Sequence, residues 1–468
     1  MNLIRKNLST IGLDLSLQKT QLLHFNTDNI EPGILEIDIL GTKIKSVEFV
    51  KFLGVIFDYK LSFNQHIASV IKKCNRSMNI IKFIRGTWWG SDPTTLLCFY
   101  KSFVRSIIDY SCFIYYPFKK NLKQKIERIQ NLAIHLSMGY RRSTPTNILL
   151  AESKLTRIED RVQNLCHNYL IKTISNSCSP LYLKVKESFF NSINNHKKKN
   201  SVLTECIRSI FCYKKFIFCN NNYNIYLHDY EILTNSVNID IEIGNDFRLN
   251  ENNNKYFKDK FEKNNEISIF TDGSKTLDIA SVGTACVCPS HNFNKLRSIC
   301  PLSSIFTAEI IAINDAVDFA LKDKNHTYNI FSDSLSVILS LKNTHINIRI
   351  NPYVLEIKEK IKLFQHDNHK GRIKLIWIPS HMGIYGNEEA DRLAKLCTLQ
   401  EPSNLPIPYT DLLMLFKKHA SVSTNNHIIN EGQLKGKPYF QRFYKSSTKP
   451  WFHNLKIKRE LITTINRC

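Results

Sequence analysis

Four acidic residues in the second half of this 468-residue chain stand in the order Asp, Glu, Asp, Asp, each inside a short motif of its own. Asp272 lies in Phe270-Thr271-Asp272-Gly273-Ser274, Glu309 in Thr307-Ala308-Glu309, and Asp333 in Phe331-Ser332-Asp333-Ser334. Asp391 falls near the end of a longer run that opens on His381-Met382-Gly383 and closes on Ala394-Lys395. Carboxylates are hard oxygen donors, the kind that divalent cations such as Mg²⁺ take, and two such cations can cleave a phosphodiester in line. The residue types point to a metal-dependent nuclease.

Taken singly, each acid also has an ordinary reading. Asp-Gly-Ser is a common turn sequence, so Asp272 alone reads equally well as an Asx turn. Glu309 alone is a favourable charge on a helix dipole, and Asp333 alone is a helix N-cap. Asp391 alone is a surface helix acid, and His381 alone a loop histidine. What joins them is their order, their spacing of 37, 24 and 58 residues, and the length of the final run.

Such distant residues meet only where strand ends and helix starts share one edge of a sheet. The pattern around them predicts strands over residues 267–271, 282–288 and 294–300, then a helix over 307–322 with a broad apolar face. A strand at 328–331, helices at 334–341 and 352–364, a strand at 373–378 and a helix at 388–396 follow. The fold class is therefore α/β: a three-stranded meander extended by alternating helix and strand into one mixed five-stranded sheet. Asp272 is expected to end its strand, with Asp333 directly after a neighbouring one.

A chain of this length is expected to hold two or three domains. Its net charge of +23 favours a polyanionic partner, most simply nucleic acid. That charge is unevenly spread: residues 266–398 carry 15 Lys and Arg against 14 Asp and Glu, while residues 399–468 carry 11 against 4. The acid-bearing segment is near neutral and its flanks are basic, as suits flanks that grip phosphates. The 13 cysteines show no CxxC pairing, and Cys286 and Cys288, two apart in a strand, share a face. Free thiols in a reducing compartment are expected. No run of about 18 apolar residues predicts a membrane span. The first 19 residues lack a secretory pattern, so an intracellular protein, in cytoplasm or nucleus, is expected.

Ahead of this segment, residues 10–120 mix short strands (34–44, 50–57) with long helices (61–84, 94–110). Asp92-Pro93 supplies a helix start. Residues 121–189 read as helical, broken at Thr144-Pro145. Residues 190–265 turn rich in Asn, with a lysine run at 197–199, and read as a partly disordered linker with apolar islands.

The joint motif pattern over residues 266–398 resembles type 1 ribonuclease H. The resemblance implies a ribonuclease H-like sheet with flanking helices and an active site of Asp272, Glu309, Asp333 and Asp391. It also implies two Mg²⁺ ions bridged by Asp272, with Mn²⁺ as a possible substitute. His381, on a mobile loop, would assist metal or product exit. The substrate implied is the RNA strand of an RNA–DNA hybrid, told from DNA by its 2′-hydroxyls; Ser274, beside Asp272, is a candidate substrate contact. Two departures stand out. Ile305-Phe306-Thr307 precedes the Ala-Glu pair where cellular enzymes resemble Asn-Gln-Arg, and the short stretch 343–351 leaves no room for a long basic insertion. Grip on a hybrid is then expected from the basic flanks.

Residues 1–120 resemble the end of the palm and the thumb of a non-LTR (LINE-type) retrotransposon reverse transcriptase. The resemblance rests on Gly12-Leu13-Asp14-Leu15-Ser16-Leu17-Gln18-Lys19-Thr20, Lys51-Phe52-Leu53-Gly54-Val55-Ile56-Phe57-Asp58 and His66. It rests also on Gly86-Thr87-Trp88-Trp89-Gly90, and on Tyr100 with Arg105-Ser106-Ile107-Ile108-Asp109-Tyr110. A polymerase palm needs an Asp-Asp turn, and the sequence contains no such pair. The chain is thus expected to begin downstream of that turn and not to polymerise. Residues 399–468, with Lys449-Pro450-Trp451-Phe452, resemble the basic segment that follows the nuclease in such elements. An alternative to an active nuclease is a transposon relic that only binds nucleic acid. An integrase on a similar sheet fits less well, because Glu309 comes second among the acids.

Overall fold

The computed structural model describes residues 2–26, 34–39, 41–86, 88–117, 120–194, 201–219, 230–234, 237–250, 252–262, 266–276, 281–344, 350–366, 371–453 and 455–467. Thr87, the lysines at 197–199 and most of the 343–351 stretch lie outside the described residues. The chain forms two compact units, one from residues 1–166, 199–205 and 419–468, the other from residues 167–198 and 206–418.

The first unit is mostly helical, as expected, with two antiparallel hairpins, Glu36–Ile39 with Thr42–Lys45 and Phe49–Phe52 with Val55–Asp58. Helix Asn64–Ile84 buries Ile67, Val70, Cys74, Met78 and Ile81, spaced three or four apart so that they form one stripe. Asp92 caps the next helix by accepting from the Thr94 and Thr95 amides, with Pro93 in its first turn. Residues 419–468, read from sequence as part of a basic tail, fold into this unit.

The second unit carries the sheet. Its strands are β1 (Ile239–Asp240), β2 (Ile267–Ser274), β3 (Val282–Cys288), β4 (Phe293–Ile299), β5 (Thr327–Ser332) and β6 (Arg372–Trp377). Its principal helices are α1 (Ile305–Ala320), α2 (Leu335–Lys342), α3 (Pro352–His366) and α4 (Tyr385–Cys397). The strand order is β1-β6-β5-β2-β3-β4, with the β2-β3-β4 meander antiparallel and β5, β6 and β1 parallel to their neighbours. The mixed sheet with flanking helices matches the expected α/β class, but it has six strands where five were expected.

The sixth strand is β1, in the segment read as linker. It is two residues long, too short to leave an alternating pattern, and it pairs through Ile239 with Leu375 and Asp240 with Ile376. Beyond it, helices Ile243–Leu249 and Asn253–Phe257 and the turn Lys258–Glu262 place Phe247, Phe257 and Phe261 against one face of the sheet. Strand alternation divides the core accordingly. Ile267, Ile269, Cys286, Cys288, Ile330 and Leu375 face the layer that includes α1 and α3. Phe270, Ala285, Val287, Phe331 and Ile376 face α4 and residues 243–261. Phe270 and Phe331 stack at 5.1 Å between ring centroids.

Candidate metal centre

β2 runs on through Asp272 to Ser274, so Asp272 sits inside the strand, opposite Ala285, and not in a terminal turn. The Asx-turn reading of Asp272 is thereby removed. Glu309 is the fifth residue of α1, whose N-cap Ser304 accepts from the Thr307 amide. Gly273 lets α1 come close: a Cβ there would lie 2.7 Å from the Glu309 nitrogen and 2.9 Å from the Ala308 Cβ. Asp333 follows β5 directly. The N-cap of α2 is Ser334, so the N-cap reading of Asp333 does not hold either.

Parallel pairing of β2 with β5, Thr271 opposite Ser332, sets Asp272 and Asp333 side by side. Carboxylate oxygens of Asp272, Glu309 and Asp333 all lie within 4.8 Å of one another. Asp391, on α4, stands outside that set and is paired with Lys395 at 2.6 Å, yet its charge is felt by all three. His381 lies in the loop between β6 and α4 with a left-handed φ of 55°, and it acts electrostatically on Asp333. Ser274 is buried at the end of β2, opposite Gly283.

Burial is the first cause of the site's electrostatics. It pushes the Asp272 carboxyl up to about 7, helped by the charges of Asp333 and Asp391 and opposed by the Gly273 amide. Glu309 is raised well above the usual carboxylate range by burial, then by Asp272 and Asp333. Asp333 is raised by burial too, while a hydrogen bond with Ser380 and the proximity of His381 pull it back. Adjacent buried acids disfavour each other's ionised forms.

A hard cation fits this donor set. The three converging ligands are all oxygen, and Glu309 Oε2 is buried with no hydrogen-bond partner among the described residues. A buried polar atom of that kind ordinarily has a partner, and a divalent ion would supply it while holding the acids ionised.

Residues 264–398 match the family model of RNase H. This segment is a ribonuclease H domain. Domains of this family use divalent metals and bind RNA–DNA hybrids, and the acid cluster lies wholly within the matched residues. Among the described residues, no helix is long and apolar enough to cross a membrane.

Several groups that shape the ribonuclease H domain left no mark in the sequence. The Trp377 indole N–H donates to the Asp333 carbonyl at 3.1 Å, bracing the chain at that acid. Asp411, beyond the matched segment, accepts from both the amide (2.9 Å) and the hydroxyl (3.0 Å) of Ser304, fixing the start of the helix that carries Glu309. A buried Trp or a lone Asp has many uses, so only the tertiary contact assigns these.

Proposed function

We propose that the chain hydrolyses the RNA strand of RNA–DNA hybrids with two divalent cations, Mg²⁺ first and Mn²⁺ as a substitute. The observation that carries this reading is the meeting of Asp272, Glu309 and Asp333, from three separate elements, inside a ribonuclease H match. Those three residues and Asp391 would hold the ions. Two cations bound there would supply activation of the attacking water and neutralisation of charge on the leaving oxygen. Lys395 restrains the Asp391 carboxylate, His381 assists at Asp333, and Ser274 contributes to substrate contact. The 2′-hydroxyls of the RNA strand distinguish it from DNA in the wide minor groove.

The wider setting is part of the same reading. We take residues 1–120 as a reverse-transcriptase thumb region without polymerase activity, 121–189 as a helical connection and 190–265 as the segment leading to the nuclease at 266–398. Residues 239–262 of that segment fold onto the nuclease sheet. Residues 399–468 form the basic carboxy-terminal part, and the whole derives from a retrotransposon polyprotein.

The test is hydrolysis of a hybrid labelled on each strand, by the full chain, in Mg²⁺, in Mn²⁺ and in chelator. Cutting of RNA alone, dependent on metal and lost in Asp272→Asn with hybrid binding retained, is the expected result. A folded chain that binds the hybrid and cuts nothing in either metal would reduce the protein to a nucleic-acid binder.

A further inference from the structure

The loop that carries His381 is held by residues outside the matched segment. Asn252 caps helix Asn253–Phe257 by accepting from the Lys255 amide, which leaves Asn253 and Asn254 in its first turn. The Asn253 side-chain amide donates to the Met382 carbonyl at 3.0 Å. The Asn254 side-chain oxygen accepts from the Tyr385 amide at 2.9 Å. Between those two points Gly383 takes a φ of 72°, and its amide donates to Glu388 Oε1 at 3.2 Å. Three side chains thus hold the backbone at Met382, Gly383 and Tyr385, just after His381, itself at a φ of 55°. A non-glycine residue in that region is held there by its surroundings.

The helix that provides two of these grips is itself anchored. Phe257 packs on Phe270 and Phe331 at 5.4 and 5.2 Å between ring centroids. Asp246 accepts from the Tyr256 hydroxyl at 2.9 Å and pairs with Lys260 at 3.1 Å. Upstream, β1 ties the segment into the sheet next to β6, whose end feeds the His381 loop. Asn253 is buried, whereas Asn254 is exposed. The contacts between residues 253–254 and 382–385 therefore join a fixed support to the irregular loop that carries His381.

We propose that Asn253 and Asn254 are positioning residues that hold the His381 loop in place, so that residues 239–262 are a working part of the nuclease. The inference rests on the nuclease reading given above. It assigns these two asparagines no contact with substrate or metal; they act through His381. With the tether cut, the loop backbone relaxes from its left-handed geometry and His381 spends less time facing Asp333.

The test uses the full chain and a labelled hybrid in Mg²⁺. The double variant Asn253→Ala/Asn254→Ala is expected to lower kcat about tenfold at unchanged KM, a loss of about 1.4 kcal/mol. Two forfeited neutral hydrogen bonds supply that much. His381→Ala should lower kcat as well, and adding it to the double variant should cost nothing beyond His381→Ala alone, since no positioned group remains. Losses that multiply, or a loss confined to KM, overturn the proposal.

A second readout does not depend on activity. Hydrogen exchange over residues 382–387 should quicken in the double variant while β5 keeps its protection, and Asn254→Asp, which retains the accepting oxygen, should keep the Tyr385 amide protected. Unchanged exchange overturns the tether even where kcat falls. A wild-type chain that cuts no hybrid would refute the nuclease reading alone, and exchange at 382–387 would still decide the tether.

Discussion

For Asp272, loss of solvent outweighs every neighbouring charge, and this fixes how the metal-free chain responds to pH. Burial pushes its carboxyl up to about 7 in the fold, against about 3.9 in an unfolded chain. A carboxyl raised on folding contributes stability that is complete below the unfolded value and lost as pH rises through the folded one. Glu309 is raised in the same direction and for the same first cause. In chelator, the chain should thus lose the Asp272 contribution between about pH 4 and about pH 7. Asp272→Asn should recover about 2 kcal/mol at pH 8, read by denaturant unfolding. A divalent cation works in the opposite sense because it binds the ionised acids. The melting-temperature gain on adding Mg²⁺ should therefore be larger at pH 8 than at pH 5, and equal gains would sink the metal assignment. Asp272, Glu309 and Asp333, which the structure brings together, were singled out in the sequence because a hard-cation site restricts residue type. Asn253, Trp377 and Asp411 could not be, because their partners lie 129, 44 and 107 residues away and become visible only through the fold.

Among the elements, the meeting of β2 and α1 depends on one missing side chain. At Gly273 any Cβ would press on backbone and on Ala308, neither of which can swing aside as a flexible side-chain end could. Gly273→Ala should push the first turns of α1 away from the strand, destabilising this unit by about 1–3 kcal/mol. It should also cut hybrid hydrolysis sharply, because Glu309 moves with the helix. Urea unfolding and turnover measured together check this; a variant with wild-type stability and activity would show that α1 yields without cost. The elements of the sheet were legible where their period was long enough to read. The 282–288 strand was placed to the residue, and α1 within two residues at either end. β1 and the helices after it were not, since elements of two to seven residues in an Asn-rich stretch leave little periodicity and owe their form to Phe247, Phe257 and Phe261 meeting the sheet.

Across the whole molecule, both ends of the chain contribute to one unit, and the ribonuclease H domain lies in the stretch between them. The join is chemical as well as topological. Helix Lys120–Met138 ends with carbonyls that have no partner within the helix. Arg459, from near the other end of the sequence, donates to the Leu136 and Ser137 carbonyls at 3.1 and 2.8 Å and to Ser91 at 3.1 Å. Asn466 covers the Met138 carbonyl at 2.7 Å and Arg467 that of Gly139 at 3.0 Å. Burial holds the Arg459 guanidinium down to about 10, so it remains charged at neutral pH and its hydrogen bonds are charge-assisted. From sequence these residues read only as a basic stretch suited to phosphates, yet this arginine is spent on backbone oxygens. Arg459→Met keeps most of the packing volume and removes every donor, so it should destabilise the first unit by about 2–3 kcal/mol. Hydrogen exchange over residues 130–138 should accelerate, while exchange in β2 and β5 and the rate of hybrid cutting stay as in the wild type. Acceleration of equal size in β2 and β5 would mean that the chain unfolds as a single body, and the division into two units would have no energetic counterpart.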